Sequence, residues 1–219
     1  MLFRSGQMRS EGEPKAVIQA YLEDLFGSAG VREDPSASDT PSSSGRPASI
    51  TPRPIEPDDL FSTRPLYNKN EYRWGDRQAV LYDFELTDRH GNERVFLESG
   101  DVACLRARIY FAEALEKVIF GFTVKTVDGR VVYGANSRER GIPIPRFSPG
   151  DSIEIKFEFS CALIPNEYFI SLGIALDDDQ QDNVAIDRRY DAICLPITGG
   201  SGDFGIADLG LKIELITDA

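Results

Sequence analysis

DSIEIKFEFS, residues 151–160, alternates without error: Ile153, Ile155, Phe157 and Phe159 on one side, Glu154, Lys156 and Glu158 on the other. A strand turns successive side chains to opposite faces, so this pattern predicts a half-buried β-strand. The same period of two runs outward in both directions. QAVLYDFELTD (78–88) sets Val80, Tyr82, Phe84 and Leu86 on an apolar face. DVACLRARIYF (101–111) alternates Ala103, Leu105, Ala107, Ile109 and Phe111 against Cys104, Arg106, Arg108 and Tyr110. In VIFGFTVKTVDGRVVYGAN (118–136), the Asp128-Gly129 dipeptide favoured by a type I′ turn predicts a hairpin. EYFISLGIAL, RYDAICLPI, LGLKIEL and the short RVFLES bring the count to eight or nine strands punctuated by Gly, Pro, Asn or Asp. Such spacing predicts an all-β fold, an antiparallel sandwich of immunoglobulin-like or jelly-roll-like type, rather than βαβ units.

The N-terminal third follows other rules. FRSGQMRSEGEPKAVIQAYLEDLF (3–26) has glycine turns at Gly6 and Gly12, then Pro14 at a first helical position behind Glu13. Val17, Ile18, Tyr21, Leu22 and Leu25 fall at the spacing of one helical face, so a short helix is expected there. Residues 33–59, EDPSASDTPSSSGRPASITPRPIEPDD, hold too little apolar surface to offset the entropy of ordering them and read as a linker. The expected organisation is a helical segment over 1–26, a flexible linker over 27–65 and a sandwich over 66–219. Leu60, Phe61, Leu66 and Tyr67 are apolar enough to adhere to the domain edge.

Composition removes several classes of function. With 24 Lys and Arg against 36 Asp and Glu, the formal net charge of -12 opposes a polyanionic nucleic-acid or anionic-lipid partner. No apolar run of membrane-spanning length occurs, and the start lacks the basic and apolar regions of a signal peptide. Cys104, Cys161 and Cys194 are odd in number, lack C-x-x-C spacing and sit in apolar runs, which suits small core residues in a reducing compartment. His90, the single histidine, lies in the probable turn DRHGN and offers no dyad or His metal site.

No phosphate-loop, nucleophile-elbow, zincin or dinucleotide motif is present, so no catalytic residue, cofactor or metal is expected. The acidic run at Asp177, Asp179, Gln181 and Asn183 lacks the central glycine of a calcium loop and has Arg188 where a bidentate glutamate belongs. Asp83 and Glu85 sit on one strand, a weak match to the opposed carboxylates of glycoside hydrolysis. The more informative row is Arg106, Arg108 and Tyr110, on the side of their strand away from the apolar face. Exposed arginines are common on strands; beside an aromatic ring they also suit a sugar, whose C–H face stacks while guanidinium groups bind its polar substituents. Thr123 and Lys125 lie outward on a neighbouring strand, and Ser171, Gly173 and Ala175 alternate on another as a possible groove floor. The expected binding residues are Arg106, Arg108, Tyr110, Thr123, Lys125 and Ser171; Asn136 reads as a turn cap.

RWGDRQAVLYDFEL, FGFTVKTVDGRVVYGANS, PGDSIEIKFEF and IPNEYFISLGIAL occur in that order behind the helical segment and tether. So ordered, the chain resembles the C-terminal portion of the ATP-binding subunit of O-antigen and related polysaccharide ABC exporters, the Wzt type. The resemblance covers residues 3–26 and about 72–215. It implies that 1–26 closes a nucleotide-binding domain whose body the sequence lacks, and that the sandwich is a carbohydrate-binding domain that does no catalysis itself. The implied partners are an O-antigen-like polysaccharide, the transporter ATPase, a membrane permease and a second copy in a homodimer. The implied location is cytoplasmic, at the inner membrane's cytoplasmic face, without membrane insertion or nucleic acid. Trp74 stands where the family usually has a structural aromatic at the domain entrance, which leaves packing and ligand contact both open for it, packing the stronger. The other function open at this stage is a dimerisation or coupling module that touches no glycan.

Overall fold

The structure, a computed structural model, describes residues 2–4, 7–10, 57–177, 183–200 and 202–215. It divides into an N-terminal unit and a larger unit of Pro54–Asp177 with Ala185–Ala219. In the first, β1 (Leu2–Arg4) and β2 (Gln7–Ser10) form an antiparallel hairpin, in line with a turn around Gly6. The helix expected over residues 14–25 lies outside the described residues, as does most of the linker.

The larger unit contains β3 (Tyr72–Trp74), β4 (Ala79–Asp88), β5 (Leu97–Glu98), β6 (Val102–Phe111), β7 (Val118–Thr126), β8 (Val131–Asn136), β9 (Ser152–Ser160), β10 (Asn166–Leu176) and β11 (Val184–Thr198). One sheet runs β3-β11-β10-β7-β8, with β5 added to β11; the other runs β4-β6-β9. Apart from the parallel β5–β11 contact, the strand pairs with a described register are antiparallel. Leu105, Ala107 and Ile109 of the smaller sheet and Phe120, Phe122, Ile170, Leu172, Ile174 and Ile186 of the larger belong to one buried core. Phe122 of one sheet stacks on Phe157 of the other at 5.4 Å between ring centroids. The all-β sandwich expected from strand periodicity is therefore the fold.

Four local departures from simple periodicity matter. The pairing of β4 with β6 slips between Leu81 and Asp83, leaving Tyr82 as an inserted residue. Such a bulge flips the phase of everything before it. Leu81 therefore turns into the core, while Val80 pairs with Tyr110 on the opposite face, correcting the expected 80/82/84/86 alternation. The Asp128-Gly129 hairpin is present, but its turn closes by Gly129 N–H to Thr126 O at 2.9 Å, and only Gly129 has positive φ, at 85°. That is a three-residue loop with glycine in the left-handed position, not a type I′ turn.

The expected strand in LGLKIEL is not formed: Leu209, Leu211, Ile213 and Leu215 are 77–90% exposed. The fourth departure concerns the end of the segment grouped with the linker, where Phe61 adheres to the domain as expected but as a core residue. Phe61, in the 3-10 turn Phe61–Thr63, is fully buried, tilts against Phe84 and lies under the Arg189 guanidinium at 3.5 Å.

Arg189 is itself 1% exposed. It donates to Glu71 through Nε and Nη2, and through Nη1 to Asp59 and the Leu81 carbonyl. Arg73 binds Asp187 through Nε and Nη2, and Asp187 in turn accepts from Leu81 N–H at 2.7 Å. Asp59 also accepts from Arg73 and from the Phe61 amide. Burial opposes its charge, yet the hydrogen bond and charge of Arg189, with the Phe61 amide and Arg73, hold the Asp59 carboxyl below its ordinary value. This network ties residues 59–61 to β3, β4 and β11. The three cysteines are free thiols; Cys104 and Cys161 are buried as expected, whereas Cys194, also expected in the core, is only partly buried.

Candidate functional site

The outward surface of the larger, six-strand sheet carries the best-equipped site among the described residues. Register decides its membership. Thr123 pairs with Ser171, Gly121 with Gly173 and Lys125 with Phe169, all facing away from the core residues Phe122, Val124, Ile170 and Leu172 between them. On the β8 side, Gly134 is opposite Thr123 and Asn136 opposite Gly121. On the other side, Arg188 pairs with Trp74 and Tyr190 with Tyr72, alternating with the buried Arg189.

Those four side chains form a ridge. Tyr72 and Tyr190 stack at 6.3 Å with an interplanar angle of 15°. The Arg188 guanidinium lies 5.4 Å from the centre of the Trp74 ring, and its Nη1 donates to the Tyr190 hydroxyl at 3.3 Å. The Arg188 stem crosses Gly173, where an added Cβ would meet its Cγ at 3.5 Å. Beside the ridge, Lys125 sits 5.1 Å from the centre of the Tyr190 ring and donates to Asp191 at 3.2 Å.

Asp191 owes its position to a backbone irregularity. Its φ is +53°, a left-handed conformation that Asp tolerates better than most residues, at a cost on the order of 1 kcal/mol. Ser171 Oγ accepts the Asp191 amide at 2.8 Å and donates to the Asp191 carboxylate at 3.2 Å. Asn68 Nδ2 donates to the Asp191 carbonyl at 2.8 Å. The kink thus converts a strand position into a polar corner formed by Ser171, Asp191 and Lys125, next to the aromatic ridge. Gly121 and Gly134 contribute no side chains, leaving backbone as the floor there, while the Arg188 stem covers Gly173. An aromatic ridge, hydroxyl, carboxylate and ammonium groups around a shallow floor can stack a ring and exchange hydrogen bonds with hydroxyls.

Of the six residues expected from sequence, Thr123, Lys125 and Ser171 come together on this face. Arg106, Arg108 and Tyr110 lie on β6, in the other sheet. Tyr110 is 4% exposed, so its ring is not an accessible stacking surface as the strand pattern suggested. Its hydroxyl, like the Trp74 indole N–H, is buried without a hydrogen-bond partner among the described residues.

Arg108 donates to the buried Asp83, which also holds Arg64 through Nε and Nη2, and it approaches Glu154 at 3.5 Å. Arg106 pairs with Glu154 at 3.2 Å. A side-chain hydrogen bond with Cys104, then the Glu154 charge, raises its pKa above the usual arginine value. These arginines are committed to carboxylates of their own sheet. Tyr72, Arg188, Tyr190 and Asp191 escaped the sequence reading, and Trp74 entered it chiefly as a structural aromatic, although Y-x-W and R-x-Y spacing on strands marks same-face pairs. Asn136 does act as a turn cap, its Oδ1 accepting the Glu139 amide at 2.8 Å. Among the described residues no group of three or more His, Cys, Asp or Glu is placed to hold a metal, and no helix is long and apolar enough to cross a membrane.

Residues 70–209 match the family model described as the Wzt C-terminal domain, which spans both sheets and every ridge residue. The chain belongs to the Wzt C-terminal domain family. A crystal structure of the C-terminal domain of wzt superimposes with a TM-score of 0.68 at 30% identity, covering 74% of this chain and 98% of that one. A β-glucosidase from Listeria innocua in complex with glucose aligns with a TM-score of 0.30 at 14% identity, over 53% of this chain and 16% of that one. No curated protein matches the chain.

Proposed function

We propose that this domain recognises an O-antigen-type polysaccharide for an ABC exporter without itself catalysing a reaction, and that the outward face of the β3-β11-β10-β7-β8 sheet is its glycan site. The observation that carries the reading is the Trp74–Arg188–Tyr190–Tyr72 ridge beside the Ser171–Asp191–Lys125 corner, within a member of the Wzt C-terminal domain family. Tyr and Trp rings present flat apolar area at low entropic cost, as the C–H face of a pyranose requires, and Lys125 and Asp191 exchange hydrogen bonds with ring hydroxyls while the buried Ser171, 6% exposed, holds Asp191 in place. In this reading the domain works in the cytoplasm, presenting cargo to the transporter ATPase and the permease.

The test is titration of polysaccharide into the full chain with Trp74→Ala, Tyr190→Ala and Arg108→Ala variants. Loss of binding in the first two with retention in the third is expected. Retention in Trp74→Ala and Tyr190→Ala together with loss in Arg108→Ala would return the site to the β6 face.

A dimerisation role has its own support. Leu163 bridges Ala207 antiparallel, Asp208 N–H donates to the Ala162 carbonyl at 3.0 Å, and Ile164 N–H donates to the Ile206 carbonyl at 3.1 Å. Continued in the same register, Leu209, Leu211, Ile213 and Leu215 would fall opposite Cys161, Phe159, Phe157 and Ile155. Among the described residues β9 pairs only with β6, and its inward Ile153, Ile155, Phe157 and Phe159 are only partly buried. An apolar segment without a sheet and a sheet edge without a strand are complementary, and exchange of the segment between two copies satisfies both. In this proposal the 209–215 segment of each copy covers β9 of the other. Light scattering on the full chain and on a chain ending at Asp208 checks it: dimer for the first and monomer for the second is expected, and an unchanged dimer rejects it.

A further inference from the structure

We infer that the glycan carries an anionic substituent, a carboxylate or a phosphate, and that Arg188 is the residue that selects it. The inference rests on the glycan-binding reading and adds the chemical class of the ligand.

Its basis is the pattern of charge pairing. Arg64, Arg73, Arg106, Arg108, Arg138 and Arg189 each reach a carboxylate, as expected in a chain with formal net charge -12. On the candidate face Lys125 is matched by Asp191. Arg188 is the exception there. Among the described residues its contacts are the Trp74 ring and the neutral hydroxyl of Tyr190, and no carboxylate pairs with it.

The environment also prepares this guanidinium for a ligand. Its stem is laid over Gly173, its plane is held by the indole and one nitrogen is tethered to a phenol, so little side-chain freedom remains to be lost on binding. Nη1 is engaged, while the remaining N–H donors have no partner among the described residues. A planar fork of donors on a half-buried cation suits two oxygens of one anion, either carboxylate or phosphate. A neutral hydroxyl would satisfy a donor but leave the charge unmatched. The protein's overall negative field disfavours anions in general, so selection of an acidic sugar has to come from a local unpaired cation such as this one.

An array of purified bacterial polysaccharides, probed with the full chain, tests the inference. Each acidic glycan is printed beside its carboxyl-reduced or dephosphorylated form, which separates the two sources of charge. Binding is expected to fall about tenfold or more when the charge is removed, the size of one lost charge-assisted contact. In Arg188→Gln the preference for the acidic form over its neutral form is expected to collapse to within about twofold, with Arg188→Lys intermediate because an ammonium lacks the fork. Equal binding of acidic and neutral forms by the parent, or an unchanged preference in Arg188→Gln, overturns the anion inference and leaves the aromatic-ridge site standing. Absence of binding to every glycan overturns both.

Discussion

Arg189→Met tests whether the buried charge network holds the domain together. Methionine keeps most of the stem volume, so the change is chiefly electrostatic. The guanidinium removed is 1% exposed and donates to Glu71 at 2.5 and 3.0 Å, to Asp59 at 2.9 and 3.0 Å and to the Leu81 carbonyl at 2.9 Å. The losses are unequal. Asp59 is 40% exposed and keeps Arg73, and the Leu81 carbonyl keeps Arg73 Nη2 at 3.1 Å. Glu71 is 10% exposed and retains only the Tyr67 hydroxyl at 3.1 Å among the contacts described for its carboxylate.

Removing one partner of a buried ion pair costs about 3–5 kcal/mol, and the rescue of Asp59 by Arg73 and water favours the lower end, about 3 kcal/mol. Urea unfolding of the full chain reads this as a midpoint lowered by about 1–3 M, from a slope of about 1–3 kcal/mol/M. Neutralising the stranded carboxylate in Glu71→Gln/Arg189→Met is expected to restore about 1–2 kcal/mol relative to Arg189→Met. A single-variant loss below about 1 kcal/mol, or a double variant that merely sums the two singles, would falsify the claim that Glu71 and Arg189 act as a coupled buried pair.

Other outcomes follow from particular residues. Asp59→Asn should destabilise the domain at neutral pH. Because the Asp59 carboxyl is held below its ordinary value, its contribution is present above the ordinary carboxylate range and lost as pH falls through the lowered value. The gap between parent and variant in urea midpoint should therefore shrink in acid; a gap that widens would contradict it. Phe61→Ala should cost about 3–5 kcal/mol in the same assay, as for a fully buried aromatic, whereas a true linker residue would cost almost nothing. Gly75→Ala should fail to fold or lose well over 2 kcal/mol, since φ is +136° and the new Cβ would lie 2.2 Å from the Ile186 carbonyl oxygen. Gly91→Ala, at φ +85° with open space around it, should cost only about 1 kcal/mol, and equal thermal shifts for the two would refute the clash argument.

Period-two alternation was enough to specify strands, an all-β fold, the core residues of β6 and the inward row of β9, because a strand buried on one face leaves that trace wherever pairing is regular. It also marked Thr123, Lys125 and Ser171 as outward, which their paired register bears out. Alternation carries no information about which sheet a strand joins. Arg108 and Lys125 are both outward residues, yet they lie on different sheets, and only strand order separates them. Nor does it record irregularities: the bulge at Tyr82 turned Val80 outward and Leu81 inward, and the positive φ of Asp191 swung its carboxylate to Ser171 and Lys125.

The ridge was present in the sequence as Tyr72-x-Trp74 and Arg188-x-Tyr190, two short same-face pairs more than a hundred residues apart. Their meeting is a long-range event set by the β3–β11 register. Local pattern thus determined which residues face out of each strand, a property of backbone geometry alone. Tertiary pairing decided which of them share a surface, because that depends on hydrogen bonds between segments the chain order keeps apart.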